Sequence, residues 1–173
     1  MIVKVPYGNK MLDLDLKSYK AEVCAATDVE PQESGVSLIR KALARPIGTK
    51  SLSELAKGRK DVCIVINDVT RPTPSQIILE GILEELHEAG VKDEQINILI
   101  SNGNHRPATQ AELIKMIGED YVSRFNIVNH VATNDDDLTY LGDTPLGVPI
   151  HVNSCLAKSY IKILTGTIRP HQS

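Results

Sequence analysis

Three times along the chain a short, mainly aliphatic run gives way to a polar loop that carries Arg-Pro. "CIVI" precedes "NDVTRPTPS", "INILI" precedes "SNGNHRPAT", and "IKIL" precedes "TGTIRPHQS". Continuous apolar runs rich in β-branched residues mark strands covered on both faces, so the pattern predicts three buried strands. Between the first two lies "PSQIILEGILEELHEAG", where Ile78, Ile82, Leu86 and Ala89 form one helical stripe that Gly90 ends. After the second loop, Thr109 and Glu112 make a capping box that opens a helix over "QAELIKMIG".

The remaining segments are weaker variations on the same theme. "IVKV", a turn at "YGNK" and the alternating "LDLDL" from Leu12 to Leu16 predict an N-terminal β-hairpin. "KSYKAEVCAATDVEPQES" is poorly periodic and reads as a connecting loop with some helix. "GVSLIRKALARPIG" has Val36, Ile39 and Leu43 at helical spacing, closed by Pro46, and "SLSELAKG" carries a capping box at Ser51 and Glu54. "NIVNHV", "LTYLG" and "VPIHVN" read as short strands and "CLAKS" as a helical turn. Strand–helix–strand alternation with right-handed crossovers gives an α/β fold. It predicts a mostly parallel, Rossmann-like sheet with helices on both faces, preceded by the hairpin. At 173 residues this is one domain.

Composition narrows what such a domain does. A net charge of −3 without any Lys/Arg cluster excludes a nucleic-acid footprint, and no Trp with one Phe excludes a stacking platform. No apolar run is long enough to span a membrane, and the start has no signal-peptide core. Cys24, Cys63 and Cys155 are far apart and odd in number, which fits packing residues in a reducing cytoplasm. No glycine-rich dinucleotide fingerprint, P-loop, nucleophile elbow or paired histidines at helical spacing are found.

The chemistry gathers at the strand ends. Ligands of open α/β sheets sit at the carboxyl ends of the strands, and loops from neighbouring strands, about 4.8 Å apart, converge on one small molecule. Each proline keeps its preceding residue extended. His105 and His171 are candidate acid and base near neutrality. Arg71 offers a planar fork for a carboxylate or phosphate. Asp68 can hold a hydroxyl, orient a neighbour or simply close a turn, and Thr70 can donate and accept. Helices starting at Ser75 and Thr109 add anion-favouring N–H groups. Of the other histidines, His87 falls on the polar side of a long helix as a solvated residue, and His130 and His151 read as sheet residues. "NDDDL" lacks the glycine and distal glutamate of a calcium loop and reads as a solvated turn.

Taken together, "NDVTRPTPS", "NGNHRPAT" some thirty residues later, and then "GTIRPH" resemble the amino-terminal domain of the nickel-pincer lactate racemase family, and the likeness runs over essentially the whole chain. The resemblance implies a 2-hydroxy acid racemase or epimerase. In it, a histidine takes the hydroxyl proton while a hydride passes from the α-carbon to a nickel-pincer nucleotide. The family's two bases match His105 and His171, its carboxylate-gripping arginine matches Arg71, and Asp68 and Thr70 fall beside the cofactor. Its cofactor-bearing lysine and nickel-binding histidine follow a Ser-Gly-Gly stretch beyond the second base, and this sequence contains neither. The expectation is the N-terminal part of a larger two-domain cytoplasmic enzyme, cut after Ser173, acting on a small 2-hydroxy acid and inactive without its C-terminal part. The competing expectation is a non-catalytic α/β module that binds a small carboxylate or nucleotide.

Overall fold

The computed structural model describes residues 1–24 and 33–168. These belong to two compact units, Met1–Gln32 and Glu33–Ser173. His171 lies outside the described residues, as does most of the second half of the connecting stretch before the first helix.

The first unit is the expected hairpin, β1 (Ile2–Tyr7) antiparallel to β2 (Lys10–Asp15). Val3 faces Leu14 and Val5 faces Leu12, which collects the aliphatic residues on one face, while Lys4 faces Asp13 on the other. Gly8 takes φ 59 at the first position of the two-residue connection, the conformation a tight type II′ reversal demands and glycine supplies without strain.

In the second unit four parallel strands lie in the order β5-β4-β3-β8: β3 (Val62–Asn67), β4 (Ile96–Ser101), β5 (Asn126–Asn129) and β8 (Ile161–Leu164). Alternation along β3 and β4 divides the core. Val62, Ile64, Ile66, Ile96, Ile98 and Ile100 face the larger cluster, built with Leu79, Ile82, Leu83 and Leu86 of α3 (Ser75–Glu88) and Leu113 and Ile117 of α4 (Gln110–Ile117). Each such fully buried aliphatic side chain contributes about 1.5–3 kcal/mol. Helices α1 (Gly35–Ala44) and α2 (Leu52–Ala56) complete that layer. On the opposite face Cys63, Val65 and Leu99 pack against Cys155 and Leu156 of α6 (Ser154–Lys158). Helices therefore cover both faces, one thickly and one thinly.

Both sequence-read capping boxes form, Ser51 with Glu54 and Thr109 with Glu112, and α1 ends before Pro46. Two expectations change. "IKIL" is not a buried strand: β8 pairs with β3 alone, its residues alternate in exposure, and Leu164 is 72% exposed. Lys162 interrupts the run, and the alternation it introduces is that of a strand open to solvent on one face. The short strands β6 (Leu138–Asp143) and β7 (Pro149–Asn153) form a separate antiparallel hairpin rather than joining the parallel sheet. A helix with no apolar stripe, α5 (Glu119–Arg124), follows α4 after a break at Gly118, which has φ 91. Its Arg124 donates to Asp93 at 3.0 Å and to Asp120 at 2.8 Å. His87 also reaches Asp93, at 2.7 Å, so it is tied into this network rather than simply solvated. "DDD" (Asp135–Asp137) is the exposed turn expected.

Helix α3 meets α1 through Gly81. A Cβ there would stand 2.5 Å from Ile39 Cγ2 and 3.2 Å from Ile39 Cβ, a stiff β-branched neighbour. Overpacking costs about 1–3 kcal/mol, against ~1 kcal/mol gained in helix propensity on leaving glycine. Gly81→Ala is therefore expected to lower the urea midpoint of unfolding. A midpoint equal to or above that of the parent would show that α1 moves aside freely.

Candidate active site

The register of the sheet builds the site. β3 and β4 pair from Val62↔Ile96 to Asn67↔Ser101, so their carboxyl ends are level and the two loops leave side by side. Ser101 Oγ donates to the Ile66 carbonyl at 2.8 Å, tying the root of the second loop to the end of β3.

Asp68, the first residue past β3, is only 4% exposed. A carboxylate so far from water needs donors. Thr70 Oγ1 donates to Oδ1 at 2.8 Å, and His105 Nδ1 lies 2.7 Å from Oδ2. Burial pushes the Asp68 carboxyl up, but the bonds from His105 and Thr70 outweigh it and hold it below the ordinary aspartate range. An ionised carboxylate only accepts, so Nδ1 carries the proton and Nε2 is left as the free lone pair of the neutral ring. Asp68 also closes a turn: its carbonyl accepts from the Arg71 N–H at 3.1 Å. Of the roles open to it in the sequence, it fills all three: it holds the Thr70 hydroxyl, orients His105 and closes the turn.

The His105 side chain is 52% exposed, so it is anchored at one nitrogen and open at the other. Arg71 stands on the same turn as Asp68, exposed, and makes no ion pair among the described residues. Arg106, in the equivalent position of the second loop, is committed instead. Its guanidinium donates to both carboxylate oxygens of Glu112 at 2.8 and 2.6 Å, and Glu112 is pulled down to about 2, chiefly by that bond. Two Arg-Pro pairs that look alike in the sequence thus differ in availability.

The third loop joins the first. Thr165 N–H and Oγ1 both donate to the Val65 carbonyl, at 3.0 and 2.9 Å, and the Thr73 and Thr167 hydroxyls are 2.6 Å apart. Thr73 also donates to Asn67 Oδ1 at 2.9 Å. The run leading towards His171 is therefore held against the loop that carries Arg71.

His130 and His151 fall together, which strand patterning did not foresee. His130 follows β5, His151 lies in β7, and both border a cavity of about 290 Å³ floored by Val65, Leu99 and Leu156. No three His, Cys, Asp or Glu side chains among the described residues converge as a metal shell. The cysteines are free thiols; burial and the neighbouring Cys155 push Cys63 up to about 12, and burial raises Cys155. Both are packing residues, not nucleophiles. No described helix is long and apolar enough to cross a membrane.

The model of the lactate racemase N-terminal domain matches residues 7–173. The chain belongs to that family. It is 34% identical over 172 residues to the lactate racemase of Lactiplantibacillus plantarum and 31% identical over 172 residues to that of Thermoanaerobacterium thermosaccharolyticum. It covers 40% of each relative and 98% of itself in these alignments, so the chain spans well under half the length of the curated relatives it matches. The solved apoprotein of the Thermoanaerobacterium enzyme superposes with a TM-score of 0.80, over 99% of this chain and 40% of that one. A Thermotoga maritima protein at 22% identity shares the fold, with a TM-score of 0.59 over 75% of this chain and 32% of its own. The parallel sheet and the N-terminal hairpin are thus those of the lactate racemase N-terminal domain.

The lowered Asp68 value has a definite sign. Its stabilising contribution is fully present above the unfolded aspartate value near ~3.9 and is lost as pH falls through the lower folded value. In His105→Ala the largest donor is gone and burial dominates, so the Asp68 carboxyl should titrate at higher pH than in the parent. Carbon-13 carboxyl titration by NMR checks this. A midpoint unchanged or lower would mean that His105 does not hold the carboxylate.

Proposed function

We propose that this chain supplies the acid–base and carboxylate-binding face of a 2-hydroxy acid racemase or epimerase of the lactate racemase kind, working with a nickel-pincer nucleotide. The observation that carries the reading is the Asp68–His105 pair beside an unpaired Arg71 at the level ends of β3 and β4. Arg71 receives the substrate carboxylate as a two-pronged donor. His105, its Nδ1–H fixed on Asp68, presents Nε2 to the hydroxyl on the neighbouring carbon and takes its proton. Asp68 keeps the ring in that tautomer and stabilises the imidazolium that forms. Thr70 holds the carboxylate from its other oxygen.

A racemase needs a base for each enantiomer, and His171 is the candidate for the second. Its support is the family resemblance and the Thr73–Thr167 contact, which draws the third loop towards Arg71. The nucleotide would accept and return the hydride. The described residues do not themselves make a nickel site, and Asp68 and Thr70, expected beside the cofactor, are engaged with each other and with His105. The cofactor's lysine and metal ligand belong, in the resemblance, to a segment that these residues do not include. A carboxylate-binding module without chemistry would need Arg71 but not a buried carboxylate spent on orienting a histidine, so the dyad favours catalysis.

In the full-length enzyme, His105→Ala and His171→Ala should each lower kcat by about 10²–10⁴-fold, the usual worth of a positioned acid–base group. Arg71→Ala should lower kcat/KM by roughly 10–150-fold, the equivalent of one or two charge-assisted bonds. Racemisation followed by chiral chromatography measures all three. Turnover like the parent's in either histidine variant would sink the role assignment, and carboxylate binding lost in Arg71→Ala without any turnover in the parent would favour the binding module.

A further inference from the structure

The loop that carries His105 is gripped at both of its roots by one side chain on a different strand. Asn129, the last residue of β5, accepts through Oδ1 from the Ala108 N–H at 2.8 Å and from Asn102 Nδ2 at 3.0 Å. Through Nδ2 it donates to the Ala108 carbonyl at 3.3 Å. Asn102 and Ala108 bracket the loop, and between them the His105 N–H donates to the Asn102 carbonyl at 2.9 Å. Asn102 Nδ2 donates a second time, to the His130 carbonyl at 3.1 Å.

Asn102 is 2% exposed, and this orientation of its amide leaves its own Oδ1 buried without a partner. A buried acceptor left unpaired is unfavourable, and an aliphatic residue at the end of β4 would have prolonged the apolar core without that cost. Local departures from the rule that buried polar groups are satisfied are expected where position matters more than stability. Here the amide can point its two hydrogens at the end of β5 only by leaving its oxygen bare.

We propose that Asn129, acting with Asn102, is a positioning residue for the reaction: it closes the His105 loop into a rigid arch and so sets where the imidazole meets Asp68. Asn129 touches neither the reacting atoms nor His105 itself. It acts through the two roots of the loop, as a brace from the neighbouring strand. The inference rests on His105 being the base proposed above, and its structural half is testable without that.

The test uses the full-length enzyme labelled with ¹⁵N-histidine. In the parent, the His105 Nδ1–H should give a proton resonance shifted well downfield by its carboxylate partner. Asn129→Ala should broaden or remove that resonance and lower kcat about 10–100-fold, with KM changed less than about 3-fold, because the Arg71 clamp lies on the other loop. Asn129→Asp keeps the acceptor for both Ala108 N–H and Asn102 Nδ2 and should restore most of the signal and most of kcat; it also serves if the alanine variant does not fold. Asn126→Ala, which removes an exposed amide pair with Asn97 from the far end of β5, should leave both readouts as in the parent. A downfield resonance and kcat both unchanged in Asn129→Ala would overturn the proposal, as would a fall in kcat with the resonance intact. Loss of the resonance with kcat unchanged would uphold the brace and count instead against His105 as the base.

Discussion

The site turns on a carboxylate kept out of water. Asp68 lies at the end of the central strand, 4% exposed, and its charge persists because a hydroxyl and an imidazole replace the solvent it lost. Three consequences follow from that one demand. The first loop folds back on itself so that Thr70 can reach Oδ1. The second loop must bring His105 over from β4, which only a flush register between the two strands allows. And the histidine, having given its Nδ1 proton to the bond, is left with a single nitrogen free to do chemistry. The hydrophobic sheet beneath exists in this respect to hold two loop roots level. An offset of one residue between β3 and β4 would move the imidazole about 3.3 Å along the strand and leave the buried charge half-satisfied.

The two arginines show how the same dipeptide acquires different uses. Arg71 and Arg106 each precede a proline that keeps them extended. Glu112, already recruited as the capping residue of α4, holds Arg106 in a bidentate fork. α3 has no acidic residue in its first turn and no side-chain cap, so nothing there competes for Arg71. The difference between a structural cation and one available to a ligand thus comes from the next helix's capping chemistry rather than from the arginine itself.

Much of this was legible before any coordinates. Buried strands announce themselves through β-branched runs, the capping boxes through Ser/Thr and Glu at fixed spacing, and the three polar loops through their position after those strands. What failed to show was whatever depends on a neighbour distant in sequence. "IKIL" reads like "INILI", yet one lies at the edge of the sheet and the other inside it, because strand order is decided by crossovers and not by local composition. α5 gives the core only Tyr121 and Val122 and is tied in further by Arg124, which reaches Asp93 across 31 positions. Asp68 and His105 are 37 positions apart, so orientation of a neighbour was legible as a role for Asp68 but not that His105 is the neighbour. The bonds that Asn129 makes to both roots of the second loop were equally invisible, since an asparagine at a strand end reads as ordinary turn punctuation. The signal that does exist is Asn102 itself: an amide that follows a buried strand at once is shielded from water and has to find partners in the protein.

Strand order also bears on the function proposed above, in which one site would serve two mirror-image substrates. The sequence of strands is β4-β3-β8, and the loops that follow them carry His105, Arg71 and, beyond the described residues, His171. The proposed carboxylate clamp therefore follows the middle strand of the three, and the sequences that follow the two flanking strands carry the proposed bases. At about 4.8 Å between strands, the flanking loops rise roughly 10 Å apart, enough for one small hydroxy acid between them. On that reading, a clamp held at the centre would fix the carboxylate while the hydroxyl pointed to one side for one enantiomer and to the other side for its mirror image. On that reading the edge position of β8 acquires a reason: the returning crossover through β6, β7 and α6 lays it on the other side of β3 from β4, the flank proposed for the second base.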